Sequence, residues 1–242
     1  MTSVALLSGG LDSAVALALA AGENEAGDAK GVSLALTFDY GQRAAPREIA
    51  AAHGMCAAFD IAHQVVELPW LTRLAPPAIV DPASALPTLT EADLSSAGAN
   101  LEETAGAVWV PNRNGIFVNI AAAYAEQLGA AEVVCGFNAE EAATFPDNSP
   151  EFVDAATASL RFSTRSHVRL RSPTGGLNKR QIVELGRRIE APIHLIWSCY
   201  DGGTEHCYRC ESCVRLRRAL TAAGSWEWFN AVRTPPEARE HP

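Results

Sequence analysis

The sequence predicts an α/β fold: a parallel β-sheet with helices on both faces, followed by a small cysteine-rich segment near the C-terminus. Short apolar runs alternate along the chain with helix-like stretches, which is the order expected of a covered parallel sheet. Two glycines join the first apolar run to the first helix-like stretch, at the sheet edge where such folds bind ligands. The chain has 242 residues, 48% of them hydrophobic, enough for one substantial core.

The order of the predicted elements follows from these runs. Pro46 suits the first turn of a helix, and Asn178 suits the position that caps one. Gly186 lies inside a predicted helix and has no explanation at this level. Strands are predicted at residues 4–7, 32–38, 65–68, 132–137 and 168–171, and helices at 13–21, about 46–59, 116–128 and 179–189.

The chain divides into three predicted regions. Residues 1–195 form the main α/β domain, residues 196–225 the cysteine segment, and residues 226–242 a C-terminal tail. Within the first region, residues 70–106 are rich in Pro, Ala and Ser and lack clear periodicity, so we expect a flap or a dimer contact there. The tail ends in a Thr-Pro-Pro sequence and a charged run, where we expect the chain to fray.

Charge and hydropathy exclude several classes of protein. The net charge of −9 argues against tight binding of nucleic acid through a basic face. No apolar run has the length of a membrane span, and the N-terminus lacks the pattern of a signal peptide. We therefore expect a soluble, cytoplasmic protein that binds neither nucleic acid nor membrane.

Residues 8–13, with the sequence Ser-Gly-Gly-Leu-Asp-Ser, predict a phosphate-binding turn. Glycines let the backbone approach an anion, the serine hydroxyls add donors, and the helix start that follows favours negative charge. The turn lacks the Gly-Lys-Ser/Thr ending of the Walker loop and the third glycine of the dinucleotide fingerprint. The alternative is a capped glycine turn without a ligand. The expected nucleotide-binding residues here are Leu7, Ser8, Gly9, Gly10, Leu11, Asp12 and Ser13.

Four of the six cysteines are spaced as metal ligands. Cys199, Cys207, Cys210 and Cys213 follow the pattern C-x7-C-x2-C-x2-C, and four thiolates suit a closed, structural zinc site. An iron–sulfur cluster, a redox pair and unpaired thiols are the alternatives. His206 is expected beside the cluster rather than in it, because four cysteines already complete the shell. The other two cysteines, at positions 56 and 135, are expected to be small buried hydrophobic residues.

The turn at residues 8–13 resembles the pyrophosphate loop (PP-loop) of the N-type ATP pyrophosphatases. Other segments resemble one family of that superfamily, the 7-cyano-7-deazaguanine synthases (QueC), in the expected order and over nearly the whole chain. These segments are residues 37–43 (TFDYGQR), 110–114 (VPNRN), 136–140 (GFNAE), 145–147 (FPD), 150–152 (PEF) and 197–200 (WSCY).

The resemblance implies a fold of the adenine nucleotide alpha hydrolase-like, Rossmann-like type, with residues 1–195 as the ATP-binding and catalytic domain. It implies an AMP-forming C–N ligase of the queuosine pathway. One ATP adenylates the carboxylate of 7-carboxy-7-deazaguanine and ammonia gives the amide; a second ATP activates the amide oxygen, and loss of AMP gives the nitrile. The implied cofactors are ATP, Mg²⁺ and Zn²⁺, with zinc favoured over iron–sulfur, and the implied assembly is a homodimer.

The resemblance also implies roles for individual residues. Asp12, Ser13, Arg113 and Lys179 are the expected catalytic residues, with Asp12 helping to hold magnesium. Arg113 and Lys179 are the cations expected near the phosphates or the acyl adenylate, although each has a simpler interpretation as a solvated surface charge. Asp39, at the expected ligand edge, either positions the nucleotide or caps a turn.

Asn138, Glu140 and Asp147 are the residues expected to contact the deazapurine. A carboxylate can pair with the N1–H and 2-amino donors of a guanine-like edge, and Asp147 is the preferred candidate. Glu140 has two other interpretations, as a magnesium ligand or as an exposed loop charge.

Residues 142–149 depart from the family pattern. Asn148 and Ser149 stand where the family usually has cysteine and arginine, and Tyr208 stands where glycine is common. Three interpretations follow: the synthase itself; a QueC-like paralogue that joins the same acid to another amine, such as a protein acceptor, in defence or secondary metabolism; and a nucleotide-binding partner protein without turnover. The intact turn at residues 8–13 argues against the third.

Overall fold

Five β-strands form one sheet in the order β3-β2-β1-β4-β5, and every neighbouring pair is parallel. In this computed structural model the described residues are 2–22, 31–90 and 99–233, with 99–103 described by backbone alone. The five predicted strands and their parallel arrangement are confirmed. The strands are β1 Thr2–Leu6, β2 Gly31–Asp39, β3 His63–Glu67, β4 Glu132–Val134 and β5 Arg169–Arg171.

Helices cover both faces of this sheet, as predicted. The four predicted helices correspond to α1, α2, α5 and α8 in the series below, and the others are additional. The helices are α1 Leu11–Gly22, α2 Ala45–Ala58, α3 Pro77–Val80, α4 Ala99–Val108, α5 Arg113–Leu128, α6 Ala139–Ala142, α7 Pro150–Ser163, α8 Lys179–Arg188, α9 Glu211–Ala222 and α10 Trp226–Arg233, with short 3-10 turns at Leu71–Arg73, Pro146–Asn148 and Ile193–Leu195.

Two large apolar clusters form most of the described core, one on each face of the sheet. Neighbouring residues of β1 divide between them: Val4 belongs to the cluster with α5 and α7, and Ala5 to the cluster with α1, α2 and α8. This alternation is the expected pattern for a strand buried on both faces. The second cluster also contains Cys199, Cys210 and Cys213, so the cysteine segment packs into the main core.

Helix α8 begins and packs as its sequence requires. Asn178 forms a capping box with Gln181, which confirms the predicted cap. Gly186 is explained by close helix packing, because a Cβ atom there would lie 2.8 Å from Cγ2 of Val15 on α1 and 3.2 Å from Cγ2 of Ile193. The glycine therefore lets α8 lie directly against α1.

The segment predicted as a flap or dimer contact is partly described. Its residues 70–90 contain a 3-10 turn and the short helix α3, and they reach the cysteine segment. Thr88 forms an isolated antiparallel bridge with Cys210, and the backbone N–H of Leu89 donates to the carbonyl of Arg209 at 3.2 Å. This part of the segment lies against the cysteine cluster. Its role as a flap or dimer contact stays a prediction.

The C-terminal region contains one more helix before the described chain ends. Phe229 of α10 is fully buried, and the Arg233 guanidinium donates to the carbonyl of Ile196 at 2.7 Å. Residues 234–242, where fraying is predicted, lie outside the described residues. Within the described ranges, no helix combines the length and apolar character needed to cross a membrane.

Candidate functional site

The glycine turn follows β1 and leads directly into α1. Gly9 has φ +76°, and a Cβ atom there would lie 2.6 Å from the carbonyl oxygen of Glu48, so only glycine fits. The hydroxyls of Ser8 and Ser13 lie 3.1 Å apart, and Ser13 Oγ also donates to the carbonyl of Gly10 at 3.2 Å. The turn is thus held in one conformation by its own side chains and by α2 behind it.

Gly136, just after β4, lies against the start of α1. A Cβ atom at this position would lie 2.5 Å from the backbone nitrogen of Ser13. Backbone therefore contacts backbone where the turn becomes a helix. This contact explains the glycine in the GFNAE segment and aligns the carboxyl end of β4 with the phosphate-binding turn.

A cavity of about 250 Å³ opens above the turn. The carboxyl ends of the central strands, the starts of α5 and α8, and the residues Trp197, Ser198 and Tyr200 form its wall. This is the sheet edge predicted for the ligand. Gly9 and Asp39 do not line it. The sequence-predicted residues that line it are Leu7, Ser8, Gly10, Leu11, Asp12, Ser13, Arg113 and Lys179.

One ammonium group joins two carboxylates at the base of this cavity. Lys179 Nζ lies 2.6 Å from Asp12 Oδ2 and 2.5 Å from Glu141 Oε1. Burial opposes the charge of Lys179, but the two carboxylates outweigh burial and hold its pKa above the usual value. A lysine ammonium has three donors, so one remains for a ligand.

The Asp12 carboxylate has an open coordination position. Its Oδ1 atom is buried and has no hydrogen-bond partner. Burial raises the pKa of Asp12 to about 6, and the attraction of Lys179 opposes that rise. A buried carboxylate oxygen without a partner, beside a phosphate-binding turn, fits a hard cation such as Mg²⁺.

Helix α6 determines which glutamate faces the cavity. Asn138 is fully buried, and its Oδ1 accepts from the backbone N–H groups of Glu140 at 3.0 Å and Glu141 at 2.9 Å. Glu141 then lines the cavity, whereas Glu140 turns away and pairs with Arg215 at 3.3 Å. The structure thus gives Asn138 a capping contact and brings Glu141, which the sequence did not single out, to the site.

A smaller cavity of about 110 Å³ adjoins the first. Arg113 and Glu141 line both cavities, and Asp147 lines only the smaller one. The rings of Trp109 and Phe145 form another part of its wall and stack in parallel with centroids 5.9 Å apart. Burial raises the pKa of Asp147, against the attraction of Arg113. This arrangement offers an aromatic wall, a cation and a carboxylate to one ligand.

Glu48 is a second carboxylate that sequence reasoning missed. It lines both cavities, and its Oε2 accepts from Gln42 Nε2 at 2.9 Å. The Gln42 side chain is itself held by the carbonyl of Phe38 and by the N–H of Tyr40, both at 2.9 Å. Burial raises the pKa of Glu48, and the bond from Gln42 opposes the rise.

Asp39 shows the turn-capping contact. Its Oδ1 accepts from the backbone N–H of Gly41 at 2.9 Å, as in an Asx turn. Its nucleotide role stays a prediction.

Cys135 lines the larger cavity, but burial raises the pKa of its thiol to about 12, in agreement with the predicted buried residue. Cys56 is likewise buried.

The four spaced cysteines come together as predicted. Their sulfur atoms all lie within 4.8 Å of one another, and a tetrahedral zinc site with bonds of about 2.3 Å requires separations of about 3.8 Å. Backbone N–H groups of Asp201 and Cys207 donate to Cys199 Sγ at 3.4 and 3.3 Å, which suits a thiolate. His206 is buried beside this group and stacks on Trp197 with centroids 4.8 Å apart. The cluster can hold a metal ion.

Comparison with known proteins assigns the chain to a family. The family model described as "Queuosine biosynthesis protein QueC" matches residues 2–224. The chain belongs to the QueC family. The residues matched by the family model therefore include both the phosphate-binding turn and the cysteine cluster.

Relatives of this QueC chain are similar over their full length. The 7-cyano-7-deazaguanine synthase of Pelotomaculum thermopropionicum is 53% identical over 224 residues, which are 93% of this chain and 98% of the relative. The synthase of Desulforamulus reducens is 52% identical over 227 residues, or 93% and 95% of the two chains. That of Methanosarcina mazei is 41% identical over 226 residues, with the same coverage. QueC membership indicates a ligase-type enzyme of queuosine biosynthesis.

Proposed function

We propose that the protein is an ATP-dependent ligase that converts 7-carboxy-7-deazaguanine, with ammonia, into 7-cyano-7-deazaguanine. The observation that carries this proposal is the Ser-Gly-Gly-Leu-Asp-Ser turn at the base of a cavity, next to the Lys179–Asp12 pair. The similarity to synthases that cover nearly the whole chain supports the same substrate.

The first step is adenylation of the carboxylate. A carboxylate oxygen attacks the α-phosphorus of ATP, the bond to the bridging oxygen breaks, and pyrophosphate leaves. Residues 8–13 hold the leaving group with backbone N–H groups and with the hydroxyls of Ser8 and Ser13. The third donor of Lys179 and the guanidinium of Arg113 stabilise the charge that develops on the phosphates.

Asp12 is the residue that would hold magnesium, through its unpartnered Oδ1. A bound Mg²⁺ would neutralise negative charge on the phosphate oxygens. Glu141 keeps Lys179 in position from the other side, and its pKa is lowered because Lys179 outweighs the effect of burial. Three groups of this chain thus organise the charge at the base of the cavity.

The smaller cavity suits the deazaguanine. Its wall of Trp109 and Phe145 contacts a flat ring, and Asp147 accepts from the N1–H and 2-amino donors. Ammonia attacks the carbonyl carbon of the adenylate, AMP leaves and the amide forms. A second ATP adenylates the amide oxygen with release of a second pyrophosphate, and loss of AMP and of the two amide protons gives the nitrile. The four cysteines would bind zinc away from this chemistry, as a closed structural site.

One observation keeps a second function under consideration. Asn148 lines both cavities at the position where the family usually has cysteine, and it donates to Asp147 Oδ1 at 3.1 Å. A changed acceptor side of the site would suit a paralogue that joins the activated acid to a larger amine, such as a protein. Both functions share the adenylation step and differ only in the acceptor.

Mass spectrometry of one reaction distinguishes these functions. The purified protein is incubated with ATP, Mg²⁺, ammonium and 7-carboxy-7-deazaguanine, with a reaction lacking the acid as the control. We expect the nitrile together with AMP and pyrophosphate. AMP with an amide or adenylate but no nitrile would favour the paralogue, and no consumption of ATP in the presence of the acid would contradict both.

A further inference from the structure

Residues 196–200, here called the tryptophan strap, connect the phosphate-binding turn to the first cysteine of the cluster. The backbone N–H of Trp197 donates to the carbonyl of Gly9 at 2.8 Å. Its indole Nε1–H donates to the carbonyl of Cys199, also at 2.8 Å. Trp197 is buried and also lines the larger cavity. One residue therefore contacts both the turn and a metal-ligating residue.

The strap is also held by the second cysteine of the cluster, through its neighbour in the chain. The backbone N–H of Ser198 donates to Nε2 of His206 at 3.1 Å, and the His206 ring stacks on Trp197 at an interplanar angle of 20°. His206 directly precedes Cys207. Metal binding by Cys199 and Cys207 would thus also limit the positions of the Cys199 carbonyl and of His206, the two groups that accept hydrogen bonds from the strap.

The opposite side of the turn leaves it little room to move independently. The carbonyl oxygen of Glu48 lies against Gly9, where even a Cβ atom would be only 2.6 Å away. The Arg47 guanidinium, one residue earlier on α2, lies 5.5 Å from the centre of the Trp197 ring. Gly9 is therefore confined between α2 and the strap, and its position depends on the position of Trp197.

We propose that Trp197 is a positioning residue that couples the metal site to the nucleotide site, so that each ligand strengthens the binding of the other. This inference rests on the proposed function, which places a nucleotide at residues 8–13 and zinc on the four cysteines. Both sites require the same conformation of the strap. Whichever ligand binds first orders the strap, and the second ligand then meets a smaller entropy cost.

A zinc competition titration tests the coupling on the full chain. Zinc affinity is measured against a chelator of known affinity, with and without saturating α,β-methylene-ATP and Mg²⁺, and the same nucleotide is present in the chelator-only reference. We expect the nucleotide to raise the apparent zinc affinity about fivefold or more, as expected for coupled sites. Calorimetry on the same sample measures nucleotide binding directly. Nucleotide binding with unchanged zinc affinity overturns the coupling alone, whereas no nucleotide binding also overturns the proposed function.

Trp197→Phe tests the residue itself. The variant keeps a ring stacked on His206 but removes the Nε1–H that donates to Cys199. We expect it to retain its zinc, while the effect of the nucleotide on zinc affinity falls below about twofold. Trp228→Phe, on α10, is the matched control, because the described hydrogen bonds include none between Trp228 and the strap, and its ring packs under the Arg187 guanidinium, 3.7 Å from the ring centre. This variant should keep the full effect.

Full coupling in the Trp197→Phe variant would overturn the role assigned to the indole. Where that variant does not fold, His206→Phe takes its place, because it keeps the stacked ring and removes the acceptor of the Ser198 N–H. The same loss of coupling is expected, and its absence overturns the proposal.

Discussion

At the scale of single residues, the site depends on one lysine shared between two carboxylates. Asp12 and Glu141 both contact Lys179 Nζ, yet burial raises the pKa of Asp12 while the pKa of Glu141 is lowered. The two carboxylates therefore differ: the lowered pKa of Glu141 favours its charged form, whereas Asp12 has a buried oxygen without a hydrogen-bond partner.

Asp12→Asn tests the role of that oxygen. The substitution preserves size and removes the charge, so we expect pyrophosphate release to fall by about 100-fold. Release is measured with a coupled pyrophosphate assay, and circular dichroism checks the fold. Asp154→Asn, on the exposed side of α7, is the matched control. Normal turnover by the Asp12 variant would contradict the proposed magnesium position.

The pH dependence of adenylation should report the same group. Because burial raises the pKa of Asp12 to about 6, the carboxylate gains a proton as the pH falls through that value. Adenylation, measured without ammonia, should then fall about tenfold for each further pH unit. The Asp12→Asn variant should not show this fall in the adenylation rate at low pH. If the adenylation rate falls only near pH 4, the ordinary range of a carboxyl group, Asp12 is not the titrating group.

Motifs could be predicted at this scale, but side-chain directions could not. The GFNAE segment marks the right place, and the structure brings Glu141 rather than Glu140 to the cavity because Asn138 caps α6 one turn earlier. A one-residue step on a helix changes direction by about 100°. Glu48 was missed for another reason: it lies in a helix whose contact with the turn depends on tertiary structure.

At the scale of elements, close contacts position the phosphate-binding turn. Gly136 brings the end of β4 against the start of α1, Gly9 brings α2 against the turn, and the tryptophan strap approaches from the cysteine segment. The turn is therefore held by three other parts of the chain.

Gly136→Ala tests the first of these contacts. The added Cβ atom would lie 2.5 Å from the nitrogen of Ser13, and neither backbone can move without displacing a strand or a helix. We expect a loss of about 1–3 kcal/mol in the free energy of unfolding and weaker ATP binding. Urea denaturation and calorimetry measure the two effects. Gly106→Ala is the control, because its Cβ would meet no atom within 4 Å, and it should bind ATP normally.

Cys210→Ser tests the cysteine cluster. Removal of one of four thiolates should lower the zinc content and the melting temperature, because a structural metal contributes directly to stability. Metal analysis of the purified protein distinguishes zinc from iron at the same time. Cys56→Ala, a change to a buried cysteine outside the cluster, should keep full metal content. Unchanged metal in the Cys210 variant would contradict the site.

The sequence predicts those elements that have a pattern of their own within a short stretch of residues. The strands, the capped start of α8 and the cysteine spacing all have local patterns, and the structure confirms them. The order of the strands and the contact of Trp197 with Gly9 join residues far apart in the chain, where no local pattern exists. Among the described helices, α3, α4, α6, α7, α9 and α10 were not predicted either.

At the scale of the whole molecule, the larger cavity lies at the carboxyl end of the central strand β1, and the smaller cavity adjoins it beyond the end of β2. The larger cavity is lined by elements from both halves of the chain, from the turn at residues 8–13 to Trp197, Ser198 and Tyr200 of the strap, so a ligand there would contact both halves. Its binding should therefore stabilise the entire fold rather than one loop. The predicted homodimer lies beyond what a single chain describes and stays a prediction.

Thermal unfolding measures that stabilisation. A ligand at 100 times its Kd adds about 2.7 kcal/mol, which for a chain of this size corresponds to about 5–10 °C. We expect this shift with α,β-methylene-ATP and Mg²⁺. Adenosine at the same concentration is the control, because it lacks the phosphates that the turn binds, and its shift should be much smaller. Equal shifts would show that the turn does not anchor the nucleotide.

Gly186 influences the position of Lys179, although the two residues lie at different places along helix α8. Helix α8 carries Lys179 at its first position, and Gly186 sets how closely that helix approaches α1, which carries Asp12. The position of the ammonium in the cavity is thus determined about 10 Å away along the helix, at a packing contact that lines neither cavity. Substitutions at the Gly186 contact can therefore change the position of Lys179 without replacing any side chain that lines the cavity.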